Sequence, residues 1–188
     1  MSEDLRPLHA LSAEDRERLG IEIVDGTPWF AILEERFGIP AAAFEELVLI
    51  KPNPKQLHIV DGGVVPPPRP RPDSLGMPFL RIRMKVPKLS TPAAMAFGAH
   101  ATLNALDVDE EQLDAYLSRQ VFTPTPVQLE GCSGRGYVII RHRGFALGMA
   151  LLRVPPEAAD DPTPFVESQF PKSWAIASHR TAFGSENQ

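Results

Sequence analysis

Apolar and polar positions alternate most clearly in the stretch GRGYVIIRHRGFALGMALLRV, residues 134–154. Tyr137, Ile139 and Arg141 point one way from a strand, and Val138, Ile140 and His142 point the other. β-Branched and aromatic residues dominate it, as a pleated, half-buried surface requires. Arg143-Gly144 is the turn, with Gly144 able to take positive φ, so the stretch reads as a β-hairpin. Gly148 inside the returning strand marks a bulge or a close backbone approach. Period two recurs in Pro78 to Val86 (PFLRIRMKV), predicting a half-buried strand. Leu80, Ile82, Met84 and Val86 share its apolar face, and Arg81, Arg83 and Lys85 share the other. ELVLI and QLHIV, either side of Pro52-Asn53-Pro54-Lys55, predict a further hairpin. TLNALDV and Phe165 to Phe170 read as strands, and FTPTPVQLE as an irregular edge strand because of Pro124 and Pro126.

Other stretches follow the helical period. Trp29, Leu33 and Phe37 recur at spacing four within a helix over Thr27 to Phe37, which Gly38 ends. Ser12 with Glu14 and Asp15 marks another helix start, and Ala41–Phe44 a short turn. Ser90 or Thr91 caps a helix through AAMAFGAHA, with Pro92 in its first turn and Met95, Phe97 and Ala101 as candidates for burial. Asp109 caps EEQLDAYLSRQ, with Leu113, Tyr116 and Leu117 inward. Residues 1–10 and the end from Ser178 read as loose tails. The pattern is α+β: a small N-terminal α/β module over 1–80, a mixed β-barrel over 81–178, and a tail over 179–188.

Composition narrows what this architecture can do. The 188 residues carry 43% hydrophobic and 23% charged residues with a net charge of −5, so any nucleic-acid site is a local patch. One such patch stands out: Arg69, Arg71, Arg81, Arg83, Lys85 and Lys88 against Asp73 alone. Residues 62–73, GGVVPPPRPRPD, predict a stiff polyproline II loop. The single Cys132 excludes an intrachain disulfide and a multi-cysteine zinc site. The five histidines are scattered without a metal-ligand spacing, so no metal is expected. No G-x-G-x-x-G follows a strand, so no dinucleotide cofactor or methyl-donor fold is expected, and the chain reads as a non-enzyme. No apolar run long enough for a signal or a span is visible, so a cytoplasmic location and no membrane partner are expected.

The GYV strand with its G-x-x-LG hairpin, the later Pro171-Lys172 step, and the K-L-S-T opening followed by Phe97-Gly98 and A-T-x-N at 101–104 resemble the PUA-type RNA-binding barrel. The likeness is to the small pre-PUA plus PUA ribosome-biogenesis proteins of the Nip family and their archaeal relatives, and to the C-terminal PUA-like region of Sun-type RNA 5-methylcytosine methyltransferases. The N-terminal EERFGIP helix end is similar to the first domain of the Nip type. Leu89 stands where that family carries proline, and the Pro-Cys and Thr-Cys catalytic motifs of the Sun type are missing. The resemblance implies binding of structured rRNA or tRNA, in ribosome biogenesis or RNA modification, without catalysis. A modification enzyme or an assembly factor is the implied partner. It places RNA contacts at Lys88, Thr91, Arg135, Arg141, Arg143 and Lys172, with Arg81 and Arg83 as an extension. A protein–protein adaptor on the same fold is the alternative, favoured by the net negative charge. A small hydrolase or transferase with an unrecognised site is a third possibility.

Overall fold

The computed structural model describes residues 6–67, 74–157 and 159–176. Helix α1 (Ala13–Leu19) starts where Ser12 accepts the Asp15 amide at 3.1 Å and ends at Gly20 in the left-handed region. Strand β1 (Ile23–Val24) leads to α2 (Thr27–Phe37), which stops at Gly38 with φ 62°. Strands β2 (Leu47–Asn53), β3 (Gln56–Asp61), β4 (Met77–Arg81) and β5 (Lys88–Leu89) complete a five-stranded antiparallel sheet in the order β1-β2-β3-β4-β5.

The rest of the chain builds a second sheet. Helix α3 (Thr91–Phe97) precedes β6 (Ala105–Asp107), α4 (Glu110–Leu117), β7 (Val121–Phe122) and α5 (Pro126–Leu129). Strands β8 (Gly136–His142), β9 (Phe145–Arg153) and β10 (Phe165–Ser168) follow, in the sheet order β6-β8-β9-β10-β7. Among the described residues only β6 and β8 run parallel. In both sheets the outermost strands are two or three residues long.

Three apolar layers hold these elements. The central one joins Leu33, Phe37, Leu57, Phe79 and Leu80 to Ala93, Ala94, Ile139 and Met149, so elements on both sides of residue 80 share one core. Phe30, Phe44, Phe79 and Phe97 interlock there, with Phe30 stacked on Phe44 at 4.5 Å and Phe97 of α3 at 5.0 Å from Phe44. A second layer packs Tyr116 of α4 against Val138, Ile140, Ala150, Leu152 and Val166. The hairpin β8–β9 is therefore buried on both faces, which accounts for its unbroken apolar run. A third layer places Leu8, Leu11, Ile50 and Val60 together.

The A-T-x-N motif ties the halves. The amides of Thr102 and Leu103 donate to the Phe37 carbonyl, and the Asn104 side-chain amide donates to the Arg36 carbonyl at 2.6 Å. These bonds satisfy carbonyls that the C-terminus of α2 would leave open. The Asn104 side-chain oxygen accepts the Ser133 amide at 3.0 Å, and Asn104, almost wholly buried, takes φ 50° to do so.

Several elements differ from the sequence reading. β4 ends at Arg81, because the chain must reverse within 82–87 to bring Arg81 opposite Lys88 and Leu80 opposite Leu89. Met84 and Val86 are consequently exposed. The edge strand in FTPTPVQLE is confined to β7. Thr125 then caps α5 in a reciprocal box with Gln128, where Pro126 suits the first turn. Met95 faces solvent, and the short residues Ala93 and Ala94 are buried instead. Leu8 is not in a loose tail: it is buried, and its amide donates to the Val64 carbonyl. Arg69, Arg71, Asp73 and the tail 179–188 lie outside the described residues.

Candidate nucleic-acid interface

Sheet register places three polar side chains directly opposite one another. Gln56 of β3 pairs with Arg81 of β4, and Arg81 pairs with Lys88 of β5. The next row, Leu57, Leu80 and Leu89, is buried in the central core. Alternation therefore fixes which face the polar row takes.

Lys88 stands where the edge of the first sheet meets the second. Its ammonium donates to the Gln169 side-chain oxygen at 2.9 Å and lies 5.1 Å from the centre of the Tyr137 ring. Burial pushes its pKa below the ordinary lysine value, and the neighbouring charges of Arg81 and Arg119 add to the effect. Arg119 follows α4 with φ 59°, and its guanidinium donates to the Phe170 carbonyl. Phe170 bridges the buried Tyr116 and the half-exposed Trp174, at 5.4 and 6.2 Å between ring centres. Among the described residues no carboxylate lies within ion-pair distance of Arg81, Lys88 or Arg119.

The eight residues singled out in the sequence divide. Lys88 and Arg81 come together, and Arg83 follows in the exposed reversal. Lys172 is exposed in the short helical turn Lys172–Trp174, three residues beyond Gln169. Thr91 is half-buried at the start of α3, against Gly148. Arg135 is exposed ahead of β8. Arg141 and Arg143 do not share a strand face, because Arg143 sits in the turn with φ 50°. Arg141 is only 21% exposed and makes a two-bonded pair with Asp107 (3.1 and 2.6 Å) while donating to the Ala101 carbonyl at 2.8 Å. Arg143 pairs with Glu110. Each is already neutralised by an acid. His142 donates from Nδ1 to the Val108 carbonyl at 2.8 Å, since a carbonyl can only accept.

Arg119, Tyr137, Gln169 and Trp174 were missed in the sequence. Trp174, two residues beyond Lys172, carried a usable signal as an aromatic beside a base. Arg119 carried none, because its position depends on the path of residues 168–170.

Two surface grooves flank this region. One, of about 660 Å³, opens at the β2–β3 hairpin tip between Asn53, Lys55, Gln56, Arg81, Arg83 and Met84. The other, about 700 Å³, is acidic and runs past Asp109, Glu110, Glu111 and Asp114. Cys132 is half-buried, and burial pushes its thiol pKa up, away from the thiolate. Among the described residues no three metal-ligating side chains converge, and no helix is long and apolar enough to cross a membrane. The chain matches no known protein family and no curated protein.

Proposed function

We propose that this protein binds RNA without catalysing a reaction, on a PUA-like fold, through the seam of Arg81, Lys88 and Arg119. The observation that carries this reading is Lys88. A lysine charge held half-buried beside two further cations, with no acid to pair it, is unfavourable until an anion arrives. In a chain of net charge −5 this local excess marks a place for phosphate. Tyr137 and Trp174 add aromatic faces of the kind on which unpaired bases stack. The KLST, GYV and PK motifs supply the PUA likeness, and through it the expectation of structured rRNA or tRNA in a cytoplasmic setting. A protein–protein adaptor is the second reading, favoured by Phe145, which is 74% exposed at the tip of the β8–β9 hairpin.

The test is an anisotropy titration with structured RNA at two salt concentrations. Wild type binds with a salt-dependent affinity. Arg81→Glu with Lys88→Glu loses about tenfold or more, equivalent to about 1.4 kcal/mol, and its salt slope is shallower. Absence of salt-dependent binding in the wild type overturns the reading in favour of the adaptor.

A further inference from the structure

The groove at the β2–β3 hairpin tip differs from the seam in what it offers a ligand. The seam offers cations and aromatic faces. The groove offers cations together with side-chain amides that keep unused hydrogen-bonding groups. Asn53 turns its side-chain oxygen to the Lys55 backbone amide at 2.9 Å, which leaves its NH₂ group as a free donor. The Gln56 side chain has no hydrogen-bond partner among the described residues, so both its oxygen and its NH₂ group remain open. Lys55 and Arg83 line the same groove without an acid partner among the described residues, and exposed Met84 supplies an apolar wall.

The groove is also continuous with the seam. Arg81 lines it and stands directly opposite Gln56 on one side and Lys88 on the other. Adjacent strands are about 4.8 Å apart, so Gln56 and Lys88 are separated by about 10 Å across the sheet. Phosphate contacts position a nucleic acid, and contacts to base edges give specificity. The groove holds both kinds of group in a volume of the size that encloses small ligands.

We infer that this groove receives one unpaired nucleotide of the bound RNA and reads its base. Lys55 and Arg83 hold the flanking phosphates. Gln56 meets the base edge with its donor and acceptor together, a pattern that adenine complements, and Asn53 donates beside it. Met84 packs against the face of the base. The inference rests on RNA binding at the seam, and it assigns base selection to the N-terminal sheet.

The experiment compares labelled oligo(A), oligo(U) and oligo(C) of about 12 nucleotides, a length within the usual single-strand footprint. Wild type binds oligo(A) about tenfold more tightly than the other two, the low end of what one good bidentate contact gives. Gln56→Ala narrows that spread to less than about threefold and leaves the salt slope unchanged. Lys55→Glu with Arg83→Glu keeps the preference for oligo(A) but makes the salt slope shallower by about 1.4, about 0.7 for each lost single-strand contact. Lys55 and Arg83 are exposed and Gln56 is half-buried, and thermal melting of each variant checks that the fold is retained. If wild type shows no preference, or Gln56→Ala keeps it, the base-reading role is overturned while RNA binding stands. If wild type binds neither these oligonucleotides nor structured RNA at low salt, the seam fails first and the groove with it.

Discussion

The Tyr116 hydroxyl occupies the space above Gly148 where a side chain would begin: a Cβ there would stand 2.6 Å from the oxygen. Gly148 also has φ 143° and lies at the bulge where β9 gains a residue on β8. Both facts exclude an L side chain. Gly148→Ala is expected to cost about 2–4 kcal/mol, combining backbone strain with overpacking. Tyr116→Phe removes the obstructing oxygen at the cost of its bond to the Met149 carbonyl. Thermal melting of the single and double variants should give a double-variant loss smaller than the sum, the mark of two sites in contact.

Asn104→Ala removes the bonds to Arg36 and Ser133 at once. Its partners, the Arg36 carbonyl and the Ser133 amide, are only partly buried and water can replace some of the loss, so about 1–2 kcal/mol is expected in urea unfolding. Calorimetry of the wild type should show a single transition, because the central core draws on elements before and after residue 80. Two separate peaks would contradict that shared core.

Lys88 ties stability to function with opposite signs. Its folded pKa is lowered, so just below the ordinary lysine value of 10.5 the unfolded chain binds the extra proton. Stability contributed by this group therefore rises with pH through that window, and the penalty is complete at neutral pH. Lys88→Met is expected to raise the unfolding free energy at pH 7 by no more than about 1 kcal/mol, given solvent screening of the charge. The same variant should weaken RNA binding. In Lys88→Met the alkaline rise in stability should shrink, and an unchanged pH profile would count against the assignment.

Arg141 offers the converse test. Its bidentate pair with Asp107 spans the parallel strands β6 and β8, so Arg141→Ala should cost about 1–2 kcal/mol of stability. RNA affinity, compared with wild type at a temperature where both are folded, should change by less than about twofold, well under 1.4 kcal/mol. A loss as large as that of Arg81→Glu with Lys88→Glu would return Arg141 to the interface.

Local signals carried most of the helices and the central hairpin. Ser12, Gly38 and Asp109 mark helix ends through their own backbone chemistry, and Gly148 marks the bulge. The reversal after Arg81 was hidden because LRIRMKVPKL keeps alternating where the chain turns, and no Asn-Gly or Gly-Gly pair announces it. Thr125-Pro126-Val127-Gln128 did carry a capping-box signature, overridden by reading its prolines as those of an edge strand. Lys88 and Arg81 were legible as bases. Arg141 and Arg143 looked equivalent to them, because the acids that neutralise them, Asp107 and Glu110, lie more than thirty residues away in sequence. Charge composition along a strand says nothing about which partner the fold supplies.

The brevity of the outermost strands bears on how copies of this chain meet. A sheet invites another chain to add to it in proportion to the ladder its edge leaves unpaired. Here β1, β5 and β7 present two residues each and β6 three. An incoming strand would gain only one or two backbone bonds before running past the end. The long, apolar β8 and β9, which would make the most adhesive templates, are flanked on both sides by strands of the same sheet. Growth of a fibril from the native state is thus disfavoured at each flank, where the outermost strand offers so short a ladder.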